Sequence, residues 1–173
     1  MRRLLTVTLT GMAAMPAVNA MAAEMNVKVE IPRLTVAEYH RPYVSIWIER
    51  ADQSPVSTLA VWYDAKSKED HGTKWLKDMR QWWRKAGRDM QMPADGISGA
   101  TRAPGEQTLT FSDGKAPLGK LPAGSYQLVV EAAREVGGRE LVRVPFTWPP
   151  QSAQNARAQG DHELGAVSID LKP

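Results

Sequence analysis

Cysteine is absent from the 173 residues, so neither a disulfide framework nor thiol chemistry is open to this chain, whatever its redox compartment. An excess of charge is missing too. Lysine and arginine number 22 against 19 aspartates and glutamates, but Arg2 and Arg3 lie in an N-terminal segment expected to be removed, and without them 20 bases face 19 acids. That near-neutrality gives no electrostatic reason to expect a nucleic-acid partner. Long hydrophobic runs are lacking: the most apolar stretch, Leu4 to Val18, is interrupted by Thr6, Thr8, Thr10 and Pro16 and falls short of the roughly 20 residues that a spanning helix needs. Histidine is scarce. His40, His71 and His162 show no spacing of a metal site on one helix or strand. No Ser/His/Asp order, paired-carboxylate motif or phosphate loop is found, so nothing marks the chain as an enzyme by itself.

What is present begins with export. Arg2 and Arg3, the apolar run, and the small residues Ala20, Ala22 and Ala23 are the three parts of a secretory signal. Residues 1–23 are expected to be a cleaved signal peptide, and residues 24–173 a periplasmic domain that is not embedded in a membrane. About 150 residues is enough to bury one core without staples.

Strand periods dominate the rest. Val27, Val29 and Ile31 alternate with Asn26, Lys28 and Glu30, and the runs Tyr43 to Glu49 and Val56 to Tyr63 are expected to pair as a hairpin. Further strand signals cover Gln107 to Phe111, Ser125 to Ala132, Glu140 to Trp148 and Ala166 to Leu171. One helix is predicted from Thr73 to Ala86, with Trp75, Met79, Trp82 and Ala86 as its apolar stripe, widened by Leu76 and Trp83, Thr73 as its cap and Gly87 as a left-handed stop. Lys74, Lys77, Arg80, Arg84, Lys85 and Arg88 make its other face basic. Arg88 to Glu106 reads as a long irregular loop, and Pro149 to Gly165 as a mobile polar one. Seven short strands and one inserted amphipathic helix predict a mainly β protein, an antiparallel immunoglobulin-like β-sandwich, with a closed barrel as the alternative.

The most specific motif is Asp95-Gly96-Ile97-Ser98-Gly99-Ala100-Thr101 in the long loop. It resembles the acceptor motif of proteins that receive covalent FMN from an envelope FMN transferase, where an Asp precedes Ser-Gly-Ala-Thr by three positions and the threonine carries the phosphoester. The sequence departs from that pattern at Ala103, where a hydroxyl residue is usual. By composition alone, the same residues are simply a tight loop with turn chemistry at Asp95-Gly96 and Ser98-Gly99. Met90 and Met92, with His71 upstream, are the one candidate for a soft copper site.

Several segments together resemble the predicted periplasmic family DUF2271: His40-Arg41-Pro42-Tyr43-Val44-Ser45-Ile46-Trp47-Ile48-Glu49, Lys74-Trp75-Leu76 with Trp82-Trp83, Ser98 to Arg102, and Gly124-Ser125-Tyr126-Gln127-Leu128 with Glu131-Ala132-Ala133-Arg134-Glu135. The resemblance implies a setting near PepSY-type membrane proteins and FMN transferases. It makes the leading expectation a periplasmic redox accessory protein with FMN on Thr101. Ser98, Gly99 and Ala100 would present that hydroxyl, Arg102 would steady the phosphate, and Asp95 would complete the motif. The alternative is a non-catalytic immunoglobulin-like binding or assembly module of the same system. A copper or haem carrier is the third class.

Overall fold

The computed structural model describes residues 22–66 and 71–173, so nearly all of the expected signal peptide lies outside the described residues. Among those residues nine strands form: β1 (Glu24–Ile31), β2 (Tyr43–Arg50), β3 (Pro55–Tyr63), β4 (Ser98–Ala100), β5 (Gly105–Ser112), β6 (Gly124–Ala133), β7 (Arg139–Trp148), β8 (Gln154–Gln159) and β9 (Ala166–Lys172). They make a four-stranded sheet in the order β5-β1-β9-β8 and a five-stranded sheet in the order β4-β3-β2-β6-β7. Every pairing is antiparallel except β3 with β4. The predicted β2-β3 hairpin is present, with Ile46 opposite Ala60. No helix among the described residues is long and apolar enough to cross a membrane.

One hydrophobic cluster joins the two sheets. From β1 it takes Met25, Val27, Val29 and Ile31, and from β2 it takes Val44, Ile46 and Ile48. The alternation of β1 is that of a strand with one wet face. β2 is different, because Trp47 on its other face is also fully buried, in a second cluster with Val61, Tyr63, Leu76, Met79, Trp82 and Val129. The five-stranded sheet is therefore covered on both faces, and its outer cover is the segment between β3 and β4.

That segment is not the single helix predicted from Thr73 to Ala86. It breaks into α1 (His71–Lys74), a 3-10 turn (Leu76–Asp78), α2 (Arg80–Lys85) and a second 3-10 turn (Gly87–Asp89), with Met79 at φ −78°, ψ 73° between the middle two. The cause lies on β6. Glu131, fully buried, accepts the Gln81 N–H at 3.0 and 3.1 Å and the Trp82 N–H at 2.8 Å, and Nη1 of Arg139 donates to it at 2.9 Å. In an unbroken helix those two amides would be spent on the carbonyls of Lys77 and Asp78. The far end of α2 is tied by Lys85, whose Nζ donates to the buried Glu49 at 2.6 Å, while Trp47 Nε1 donates to the same carboxylate at 2.9 Å. Two details of the helix prediction change with the break. Thr73 lies inside α1 instead of capping a long helix, and Gly87 has no left-handed φ: a Cβ there would come within 2.6 Å of the Trp82 ring, so the glycine makes room for an indole. Trp75, placed on the buried stripe by spacing, is 55% exposed.

The expected mobile stretch from Pro149 to Gly165 is also ordered differently. It contains β8, paired to β9 from Gln154↔Leu171 to Gln159↔Ala166. The turn that follows is held by side-chain carboxylates. Glu140 accepts the N–H groups of Asp161, His162, Glu163 and Leu164, and Glu163 pairs with Arg134 at 2.7 and 3.0 Å. Partial burial of Glu140 pushes its pKa up, but the four backbone donors outweigh it and hold the carboxyl below the usual range.

Two expected outcomes follow from these anchors. Glu131→Ala should cost about 2–4 kcal/mol in urea unfolding, because it leaves the buried Trp82 amide and the half-buried Gln81 amide without their acceptor; a loss of under about 1 kcal/mol would mean that apolar packing alone holds the insertion. Glu140, with its folded value depressed, stabilises the fold above the ordinary glutamate range of about pH 4.3 and loses that contribution as the pH falls through its folded value. Glu140→Gln should therefore cost about 1–2 kcal/mol at pH 7 and flatten the acid limb of stability against pH.

Candidate functional site

The motif residues do not ride on a free loop. Ala94 to Ser98 forms a closed turn in which the Ile97 and Ser98 amides both donate to the Ala94 carbonyl, and Gly96 takes the φ of +71° that the turn requires. The Ser98 hydroxyl accepts the Ala94 N–H at 2.8 Å, which fastens the turn from the other side. Ser98, Gly99 and Ala100 then form β4 and pair in parallel with Val61, Trp62 and Tyr63 at the edge of the five-stranded sheet. The expected irregular loop from Arg88 to Glu106 is thus interrupted by a strand, and the strand carries the motif.

Gly99 lies against Trp62. A Cβ at this position would stand 3.2 Å from Cδ1 of that indole and 3.6 Å from Nη2 of Arg102. Arg102 covers the same ring, its guanidinium carbon 5.2 Å from the ring centroid, a cation-π arrangement on a buried tryptophan. Among the described residues Arg102 has no carboxylate or carbonyl partner, so its donors are uncommitted. Thr101 comes between them, half-buried, where the chain leaves β4 for the opposite sheet, and its hydroxyl has no hydrogen-bond partner among the described residues. Asp95 is exposed in the turn and likewise makes no side-chain bond there. The structure therefore brings Gly99 and Arg102 together over Trp62, leaves Thr101 half-buried between Ala100 and Arg102 in the chain, places Ala100 exposed, and commits Ser98 to the turn. Trp62 was not singled out by the sequence pattern. Its only sign was the period of β3, which puts Trp62 on the inner face.

A group with a phosphate fits this corner by the chemistry of its donors. Among the described residues Thr101 supplies an unbonded hydroxyl, and Arg102 a guanidinium over the indole whose N–H groups have no acceptor. Other candidates are engaged elsewhere. His40 bonds Glu38 at 2.9 Å and lies 3.5 Å from Glu135, and among the described residues no group of three His, Asp or Glu side chains is assembled for a metal. Met90 and Met92 pack against the second hydrophobic cluster. The basic face of the helical segment is divided: Lys85 is taken by Glu49, and Lys74, Lys77, Arg80, Arg84 and Arg88 are exposed.

Gly99→Ala should destabilise the fold by about 1–3 kcal/mol and change the near-ultraviolet dichroism of tryptophan, since the indole or the guanidinium must give way. Asp95→Ala should stay within about 0.5 kcal/mol of the parent. Equal silence of both variants in thermal unfolding would show that Gly99 is not there for fit.

No curated protein and no solved structure matches the chain. The family model of a predicted periplasmic protein, DUF2271, matches residues 24–166, beginning where the expected signal ends and running from β1 to the first residue of β9. The chain belongs to the DUF2271 family.

Proposed function

We propose that this protein is a periplasmic redox accessory domain, an immunoglobulin-like sandwich whose Thr101 receives covalent FMN and whose flavin exchanges electrons with a PepSY-type membrane reductase. The observation that supports the reading is the pair at the sheet edge: among the described residues, a threonine hydroxyl with no hydrogen-bond partner next in sequence to a guanidinium with no acceptor, the latter over Trp62. The residues around Thr101 divide the work. Ser98 and Gly96 hold the turn, Gly99 lets the backbone lie against the indole, and Ala100 leaves the approach to the hydroxyl clear.

Attachment is a phosphoryl transfer by a separate FMN transferase. The Thr101 Oγ–P bond forms as the pyrophosphate bond of a flavin dinucleotide breaks, AMP leaves, and the hydroxyl proton passes to a base of the transferase. Arg102 would then donate to the phosphate oxygens of the new diester, whose negative charge suits a guanidinium already held in place. Once bound, the flavin supplies reversible one- and two-electron chemistry; the chain supplies position.

Intact mass after co-expression with an FMN transferase tests the proposal. The mature protein should gain one FMN group less water, Thr101→Ala should gain nothing, and Arg102→Ala should be modified more slowly. An unmodified parent protein, or an equal gain in Thr101→Ala, overturns the assignment and leaves the reading of a non-catalytic binding or assembly module.

A further inference from the structure

A second feature stands at the same end of the five-stranded sheet. Val36, Trp75 and Val136 are the large apolar side chains that the described surface exposes, and two of them, Trp75 at 55% and Val136 at 74%, line one cleft of about 270 Å³. Tyr43 and Ala133 form its floor, and Arg41 and Asp78 contribute opposite charges to its wall. We propose that this cleft binds a flat heteroaromatic ring carrying adjacent hydrogen-bond donors and acceptors and that, resting on the flavin reading above, its occupant is the isoalloxazine ring of the FMN on Thr101.

The walls are built, not incidental. Val136 is a β-branched residue at φ +53°, a conformation that costs of order 1–3 kcal/mol and persists only where its surroundings impose it. The surroundings here are the β6-β7 turn. The Arg134 amide donates to the Gly138 carbonyl and the Gly137 amide to the Arg134 carbonyl, each at 3.0 Å, while the Arg134 side chain, 6% exposed, is locked onto Glu163. Glycine is available at the next two positions, yet the strained site holds a valine turned to solvent beside Trp75. On the other side the break in the helix at Trp75 turns that indole out of the core and into the cleft.

The polar groups select the ring. Arg41 and Asp78 are exposed, and among the described residues neither has an ion-pair partner, although both line the cleft; of its other charged groups, Arg134 is bound to Glu163 and Glu135 lies 3.5 Å from His40. An imide edge answers both: its N–H to the Asp78 carboxylate and its carbonyl oxygens to the Arg41 guanidinium. Trp75 offers a face for stacking. Burial pushes the Tyr43 phenol above its ordinary range, which keeps it a neutral donor on the floor. The volume lies just under the range of whole drug-sized sites, so it suits a single ring system and not a dinucleotide.

Reach is set by the sheet. Ala100 pairs with Tyr63, Tyr43 pairs with Ala133, and the Tyr43 and Tyr63 rings meet edge to face at 6.2 Å, so these residues share one row across β4, β3, β2 and β6. At the usual strand spacing Ala100 is about 10 Å from Tyr43 and on the same face. That gap is comparable to the span of a ribityl phosphate chain. β4 is the edge strand and Thr101 is the residue after Ala100, so a tether there starts at the sheet's edge, one residue beyond this row, and has only to round that edge to reach the cleft.

Riboflavin, which has no phosphate and cannot be transferred to Thr101, separates the two claims. Titrated against the mature Thr101→Ala protein, it should bind with quenching of its own fluorescence. Trp75→Ala and Arg41→Ala, both at exposed positions that leave the fold intact, should each weaken binding tenfold or more. No binding up to about 1 mM, or binding indifferent to Trp75, overturns the cleft assignment whatever the mass of the co-expressed protein. In protein carrying FMN, the flavin should be dim with Trp75 and bright in Trp75→Ala; equal brightness overturns the placement of the ring while leaving the attachment at Thr101 standing.

Discussion

A carboxylate buried on the outer face of a sheet is costly unless its charge is met, and Glu131 meets it with two backbone amides and an arginine. The consequences run outward from that one group. Because the amides belong to Gln81 and Trp82, the insertion between β3 and β4 cannot slide along the sheet or lift away without stranding a charge in a dry layer. Because they are drawn toward the sheet, the chain cannot continue one helix through Met79. The turn that replaces the helix puts Leu76, Met79 and Trp82 inward and leaves Trp75 outside. Glu49 repeats the device at the other end through Lys85, so the cover is pinned twice.

This constraint explains where the amino-acid pattern is readable and where it misleads. β1 shows a clean alternation because one of its faces is wet, and its limits are legible to within two residues. The β2 run is equally plain as a strand, but only its crowding with Tyr43, Trp47 and Ile46 hints that both faces are covered. The helical spacing of Met79 and Trp82 is real, since both are buried, yet the same spacing wrongly predicts Trp75 to be core. Nothing local reveals the break: the responsible side chain is about fifty residues further on, in a strand whose own pattern is apolar. β8 is invisible for a different reason. Gln154 to Gln159 lies at a sheet edge with alternate residues exposed, and Ala156 and Ala158 are too small to mark a buried face. β4, with three residues, has no period to read at all.

The motif shows how a structural and a functional demand can fall on the same residues. Ser98 fastens a turn, Gly99 yields space to Trp62, and Arg102 covers that indole. Each would be selected by packing alone, so their presence carries little functional information. Thr101 is the exception: among the described residues its hydroxyl serves no bond that the fold needs. What the packing residues add is rigidity, and rigidity changes what the hydroxyl is good for. On the proposed reading, an acceptor on a pinned edge has to be reached by a transferase that fits it, but a group once attached there would swing from a fixed point.

A fixed point makes a weak cleft sufficient. One stacked tryptophan and a pair of exposed polar contacts are worth little against the freedom that a dissolved ring would give up on binding. Tethering converts that encounter into an intramolecular one, with an effective concentration on the order of millimolar for a short linker, so a cleft of only millimolar affinity is about half occupied. On the proposed flavin reading such a ring would be held without being sequestered: it would rest against Trp75, and it would leave on a short leash to meet a partner at the membrane. Tight binding would defeat that exchange, and an untethered weak site would lose its flavin to the periplasm. On the proposed flavin reading, an unbonded hydroxyl at the end of β4 and a shallow, strained cleft two strand spacings along the row from Ala100 would together serve electron exchange more economically than either feature alone.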